Sequence, residues 1–112
     1  MDDMDDLARR FNAAALAQID ERKAIRDDPS VWERMVREQG AVSAVHALYR
    51  QRETRFGDGG ERLARKGHPD LSVEALVIRE EFRELFSPEE IDMAKRGHDA
   101  DVWTAAHREV LG

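Results

Sequence analysis

The sequence predicts an all-α protein, a single compact domain of six or seven helices with a long N-terminal helix. Apolar residues recur at helical spacing along most of the chain, and alternating strand-like runs are absent. Three prolines and seven glycines fall between these periodic segments, where they would end helices. A chain of 112 residues is long enough to bury a core. We therefore expect one domain over 1–112, with the long helix in 1–28 and a helical body in 29–112.

The first predicted helix runs from about Asp3 to Arg26, and Pro29 favours its end. Aspartates near its start suit the positive end of the helix dipole. We interpret the apolar stripe on this helix as a contact surface for a partner protein or a second copy, with packing on the chain's own core as the alternative. The candidate contact residues are Met4, Leu7, Phe11, Ala14, Ala15 and Leu16.

Two shorter helices are predicted next. The first covers about 29–39, because Ser30 and Glu33 have the spacing of a capping box and Gly40 can end a helix. The second covers about 41–55 and has apolar residues on one side.

A glycine-rich loop over 57–60 then precedes a short helix over 61–66. Residues 71–86 give the strongest helical pattern of the chain and are apolar on more than one side. Helices of that kind are usually central. We therefore expect one continuous helix over this segment, in the middle of the fold.

The stretch "FSPEEI" predicts a helix start, since Ser87 can cap it, Pro88 suits its first position and Glu90 completes a capping box. This helix is expected to end at Gly97. A last helix over about 100–111 would follow. Its inward-facing residues are expected to be Trp103, Ala106 and Val110.

Two similar stretches, "ARKGHPD" and "AKRGHDA", each place basic residues before a glycine and a histidine. We interpret both as helix ends, because Gly67 and Gly97 can adopt the positive φ of a helix C-cap. The alternative is a metal site that uses His68 and His98. No spacing typical of metal ligands supports that alternative.

Charge is distributed unevenly along the chain, whose net charge is −6. Residues 1–30 carry eight acids and five bases, 31–66 carry five acids and eight bases, and 67–112 carry eleven acids and five bases. The basic middle either complements the acidic ends or contacts a phosphate backbone. The candidate nucleic-acid contacts are Arg50, Arg52, Arg55, Arg62, Arg65 and Lys66.

The stretch "MVREQGAVSAVHALYRQRETRF", residues 35–56, partly resembles the first helices of helix-turn-helix DNA-binding domains. The likeness lies in a helix, a glycine and then a Val-Ser start to a second apolar helix. It departs from the family at "YRQRE", where a tight apolar turn would be needed. This resemblance implies DNA binding through the basic segment 31–66.

The stretch "HPDLSVEALVIREEFRELFSPEEIDMAKR", residues 68–96, resembles a segment of small uncharacterised bacterial helical proteins. That resemblance implies a helical fold and a bacterial or phage origin. It implies no function.

The composition indicates a soluble protein of the cytoplasm. Because the chain has no cysteine, disulfides and thiolate metal sites are excluded, and a reducing compartment is suitable. No apolar run approaches the roughly 20 residues of a membrane-spanning helix. The acidic start also lacks the features of a signal peptide.

Catalytic motifs are not found in the sequence. There is no Gly-x-Ser-x-Gly, and "GDGGERLARK" lacks the Gly-Lys-Ser/Thr ending of a phosphate loop. The serines are explained as helix caps, and the carboxylates are spread along exposed faces. We therefore expect no enzyme, no cofactor and no small-molecule substrate.

The function that we expect is a non-enzymatic, acidic protein-binding module, either an adaptor or a regulator. One version is a phage-type inhibitor whose acidic C-terminal half covers the basic nucleic-acid-binding surface of its target protein. The alternative is a helix-turn-helix-like DNA-binding regulator. These two functions differ in their partner, which is a protein or a second copy in one case and DNA in the other.

Overall fold

A single long helix begins the fold. In the computed structural model, which describes residues 3–50 and 59–111, α1 spans Asp3–Ala24. Its first turn is acidic and its last turn basic, so the charges at both ends favour the helix dipole. Its buried side chains recur every three or four residues and form one face. The predicted long N-terminal helix is therefore confirmed.

The end of α1 is a Schellman turn built on a residue other than glycine. The N–H of Arg26 donates to the carbonyl of Lys23 at 3.0 Å, and the N–H of Asp27 donates to the carbonyl of Arg22 at 2.9 Å. Arg26 has the positive φ of 62° that this turn requires. The helix therefore stops before Pro29 through its own turn, and the turn carries the strain of a left-handed arginine.

The next two helices are α2 (Ser30–Gln39) and α3 (Ala41–Arg50). Gly40 lies alone between them at φ 86°, and its N–H donates to the carbonyl of Val36 at 2.8 Å. The start of α3 is held by α1, because the N–H of Ala41 donates to Oδ1 of Asn12 at 2.9 Å. The part of the predicted helix over 41–55 that follows Arg50 lies outside the described residues.

A short helix, α4 (Gly59–Arg65), begins inside the segment predicted as a loop. It closes on Gly67 at φ 85°. The N–H of Gly67 donates to the carbonyl of Ala64 at 3.0 Å, and the N–H of His68 donates to the carbonyl of Leu63 at 2.8 Å. These are the two bonds of a Schellman motif, so the predicted helix end at Gly67 is confirmed.

The predicted continuous helix over 71–86 is wrong. The structure has a 3₁₀ helix (Pro69–Leu71), the short helix α5 (Val73–Val77) and a second 3₁₀ helix (Glu80–Leu85). The Oγ of Ser72 accepts from the N–H of Ala75 at 3.0 Å and starts α5.

Burial explains these breaks. Residues 71–74 are all buried, as are Leu76 and Val77. One straight helix would point several of these side chains away from the core, since adjacent residues are 100° apart around its axis. Turns at Ser72 and Ile78 let the chain bury them all.

The last helix, α6, spans Pro88–Leu111 without a break. Its predicted capping box is confirmed: the N–H of Ser87 donates to Oε1 of Glu90 at 2.9 Å, and the N–H of Glu90 donates to Oγ of Ser87 at 3.1 Å. The predicted helix end at Gly97 is wrong, because Gly97 lies inside α6 and lacks a positive φ.

One apolar core joins these helices. The radius of gyration is 13.9 Å, close to the roughly 13 Å of a compact chain of this length. At its centre the ring of Phe11 is fully buried and lies edge-on to the rings of Phe82 and Phe86, both with centroids 5.1 Å away. No helix in the described part of the chain combines the length and the apolar character that crossing a membrane would need.

Candidate functional site

The predicted contact stripe on α1 faces the core of this chain. Leu7, Phe11 and Ala15 are buried. The three other candidates are less covered: Met4 is exposed, and Ala14 and Leu16 are half-buried. The buried three are available to a partner only if the fold opens. The packing alternative therefore describes most of this stripe.

The six predicted nucleic-acid contact residues do not share one environment. Arg50 is exposed at the end of α3, while Arg52 and Arg55 lie outside the described residues. Gly40 alone separates α2 from α3, whereas a helix-turn-helix has a turn of about three or four residues. The described geometry therefore does not reproduce that motif.

The remaining three cations already have acidic neighbours within the chain. Arg62 and Lys66 approach Oδ1 of Asp27 at 3.4 and 3.9 Å, and Arg65 approaches Glu61 at 3.8 Å. Asp27 is buried and also binds Nη2 of Arg22 at 2.6 Å through its other oxygen. This Asp27 cluster joins α1 to α4, and it reduces the positive charge available to a phosphate backbone.

The two predicted metal ligands lie on different elements. His68 follows the helix end at Gly67, and His98 lies within α6; both are half-buried. Within 3–50 and 59–111, no group of three or more histidine, aspartate or glutamate side chains is arranged to hold a metal ion.

A histidine–carboxylate pair, which sequence reasoning missed, joins α3 to the start of α6. Nδ1 of His46 lies 2.6 Å from Oε2 of Glu90. An ionised carboxylate can only accept, so Nδ1 donates and Nε2 is left for other contacts. The other oxygen of Glu90 holds the N–H of Ser87. Because the two residues are 44 positions apart, no local spacing could have predicted the pair.

This pair lies in an open cleft of about 710 Å³. The cleft also contains Ser43, Arg50, Glu89 and Met93. A carboxylate orients the imidazole ring of His46, as is found in histidines that act as general bases. However, no contact places a serine oxygen on Nε2, and the cleft is broad and open. The pair therefore acts first as a tie between α3 and α6.

A buried carboxyl pair joins α5 to the middle of α6. Glu74 is 7% exposed, and its carboxyl group lies beside that of Asp101. Gly60 leaves room for them: a Cβ built there would overlap Oδ2 of Asp101 and lie 3.2 Å from Oε2 of Glu74. Gly97 lies on the other side, where a Cβ would stand 3.5 Å from Cγ of Glu74.

The environment of this pair favours a proton between the two groups. Burial of Glu74, together with the negative charge of the neighbouring Asp101, raises the pKa of Glu74 to about 7. Two carboxyl groups can share a hydrogen bond only when one is protonated. Gly97 is therefore not a helix end; it lies where Glu74 packs against α6.

The exposed side of α6 forms the most distinctive surface of the described chain, which we call the α6 face (Glu89, Asp92, Asp99, Trp103 and His107). The indole of Trp103 is 56% exposed and stacks on the ring of His107, with centroids 4.3 Å apart and planes 18° apart. The prediction that Trp103 and Ala106 face inward is wrong. Nothing is described of the side chain of Val110.

The packed side of α6 explains this outcome. Ala94 is buried, and Gly97 and Asp101 lie against Glu74. Residues at this spacing define one side of a helix, and Trp103 lies two positions from Asp101, about 200° around the axis. Small and acidic residues thus face the body of the protein, and the largest side chain of α6 faces solvent.

Exposed acidic side chains also lie along α6 and on the second 3₁₀ helix. Asp92 pairs with Arg96 at 2.8 Å, and Glu80 pairs with Arg83. Glu84, Glu89 and Asp99 are exposed and make no ion pair within the described residues. The α6 face therefore carries more acidic than basic side chains, and Asp99 lies about one turn before the exposed indole.

Comparison with known proteins finds no matching family model, no significantly similar curated protein and no significantly similar solved structure. The side chains of the α6 face and of its two ties to the fold are therefore the basis for assigning a function.

Proposed function

We propose that the chain is a non-enzymatic protein-binding module, an adaptor or regulator, that docks on a basic protein surface through the α6 face. The observation that carries this proposal is the exposure of Trp103, whose ring is stacked on His107 and not packed on the core. Tryptophan is strongly enriched among the few residues that dominate interface energies. Removing its apolar surface from water contributes about 25 cal/mol per Å².

Charge supports a basic partner. The chain carries −6 overall, and on the α6 face Glu89 and Asp99 are exposed and make no ion pair with another described residue. Asp99 lies about one turn before Trp103. A surface with lysines or arginines around an apolar pocket complements this arrangement, and electrostatic attraction would speed its encounter with the α6 face. The nucleic-acid-binding surface of another protein has such a charge. Two copies of the α6 face would repel each other.

Site-specific crosslinking in an extract of the source cell identifies the partner. A photoreactive amino acid replaces Ala106, which is exposed about one turn after Trp103, in one variant and Val31, which is 63% exposed on α2, in a matched control. We expect a basic protein that is captured from position 106 and not from position 31. Equal capture from both positions would argue against the α6 face.

The captured protein is then purified and its affinity measured. We expect Trp103→Ala to weaken binding by a factor of about 10 or more, Val31→Ala to leave it unchanged, and added salt to weaken it. Nucleic acid should compete for the same partner. An unchanged dissociation constant for Trp103→Ala would overturn the proposal. Tight binding of the chain itself to random duplex DNA at physiological salt would favour the DNA-binding alternative.

A further inference from the structure

We propose that Glu74 and Asp101 form a proton-dependent latch that fixes the second half of α6, and with it Trp103, against α4 and α5. The proposal that the latch exists depends on the geometry of the carboxyl pair. Its regulatory part rests on the function proposed above, because the latch lies two residues from the Trp103 anchor.

The carboxyl pair lies where α4, α5 and α6 meet. Gly60 of α4 has no side chain, so the carboxyl groups of Glu74 and Asp101 fit side by side between α4, α5 and α6. Glu74 is buried and Asp101 is half-buried. A proton held by one carboxyl group is donated to the other, which joins α5 to α6 with a hydrogen bond.

Among the described residues, the groups facing Glu74 do not replace the proton. Arg22 of α1 lowers the pKa of Glu74 less than burial and Asp101 raise it, and its guanidinium is bonded to Asp27. Tyr49 of α3 stays a neutral phenol, because burial and the charge of Glu74 raise its pKa. Loss of the proton therefore leaves two negative charges facing each other.

Other ionisable groups on the packed elements are already paired or lie nearer the surface. On α4, Arg62 approaches Asp27 and Arg65 approaches Glu61. On α6, His98 is half-buried on the packed side, one turn before Asp101, so it needs its own control. Asp70 on the first 3₁₀ helix is exposed.

The direction of the effect follows from proton linkage. The pKa of Glu74 rises from its usual 4.5 to about 7 in the fold because of burial and the nearby Asp101. The folded chain therefore binds more protons than the unfolded chain between these values, and stability falls as pH rises through this window. Above about pH 7 the latch is open, because the two carboxyl groups then share no proton. Below it, the latch is closed.

Amide hydrogen exchange of the free protein tests the latch. After correction for the intrinsic pH dependence of exchange, we expect the opening constant of amides 98–107 to rise on the order of tenfold from pH 6 to pH 8. Glu74→Gln should remove this rise, because an amide can donate to Asp101 at every pH. Glu84→Gln should keep this rise, because Glu84 is exposed and makes no ion pair with another described residue.

Two results would overturn the latch. One is a flat opening constant in the natural chain between pH 6 and 8. The other is loss of the pH dependence in His98→Gln with its retention in Glu74→Gln. If Glu74→Gln does not fold, Asp101→Asn gives the same test, since its amide donates to Glu74 when that carboxyl group is charged. Persistence of the full rise in the folded variant would also contradict the proposal.

The functional part has a separate readout. The dissociation constant for the basic partner should rise by up to about tenfold from pH 6 to pH 8 in the natural chain and less in Glu74→Gln. If no partner binds at Trp103, the function fails while the exchange result stands. If the partner binds and exchange is flat, the latch alone fails.

Discussion

The ring of Phe11 lies edge-on to the ring of Phe82, with centroids 5.1 Å apart and planes at 88°. This contact joins α1 to the second 3₁₀ helix at the centre of the core. Because Phe11 is fully buried, we expect Phe11→Ala to lower the free energy of unfolding by about 3–5 kcal/mol. Urea unfolding followed by circular dichroism measures the loss.

Met4 gives the matched control on the same helix, since it is 41% exposed. Met4→Ala should cost less than about 1 kcal/mol. Deleting residues 1–28 removes Phe11 and its neighbours, so the remaining chain should unfold. A truncated chain that stays folded and loses only partner capture would instead support α1 as the contact surface.

Gly67 and Gly97 should respond to alanine with opposite signs. At Gly67 the positive φ of 85° makes alanine unfavourable, by about 1 kcal/mol. At Gly97 the backbone is helical and a Cβ meets Glu74 at an ordinary 3.5 Å, so alanine should gain up to about 1 kcal/mol of helix propensity. Thermal melting of the two variants compares them. A loss at both positions would mean that Gly97 is needed for close packing.

Arg26 offers a stabilising substitution. Its φ of 62° is adopted at low cost only by glycine, so Arg26→Gly should raise the free energy of unfolding by about 0.5–1 kcal/mol. Arg26→Ala keeps the strain and should stay within about 0.5 kcal/mol of the natural chain. Equal stability of the glycine and alanine variants would show that the turn relaxes elsewhere.

Removing either of the two adjacent aspartates after α1 should have very different effects on the free energy of unfolding. Asp27 is buried against Arg22, so Asp27→Ala leaves a buried guanidinium without its carboxylate and should cost about 3–5 kcal/mol. Asp28 is exposed and accepts the N–H of Ser30, and its removal should cost much less. Urea midpoints compared at equal m-values report both. Similar losses would mean that the Asp27 cluster contributes little.

The features that depend on residues close together in the sequence were predicted. The stripe of α1, the positive φ at Gly67 and the capping box of Ser87 and Glu90 each depend on residues within a few positions of one another. Their physical causes, burial of one face and satisfaction of end groups, are visible in sequence. These elements were therefore predicted correctly.

The failures depend on contacts between distant residues. Gly97 has the composition of a helix end, but the side chain of Glu74 fills the space beside it. The segment 71–86 breaks because neighbouring residues are all buried, which periodicity cannot indicate. His46 finds Glu90 across 44 positions, and Trp103 faces solvent because Asp101 faces Glu74. Such pairings need the tertiary arrangement.

The carboxylate of Asp27 also has a consequence for the order of folding. Its bond to Arg22 spans 5 residues and its approach to Arg62 spans 35, so closing the longer loop costs roughly 1.7 kcal/mol more chain entropy. The end of α1 is therefore settled first, and α4 docks on a carboxylate already held in place. We expect Arg62→Ala to speed unfolding and leave the folding rate nearly unchanged. The two limbs of a chevron plot give these two rates separately.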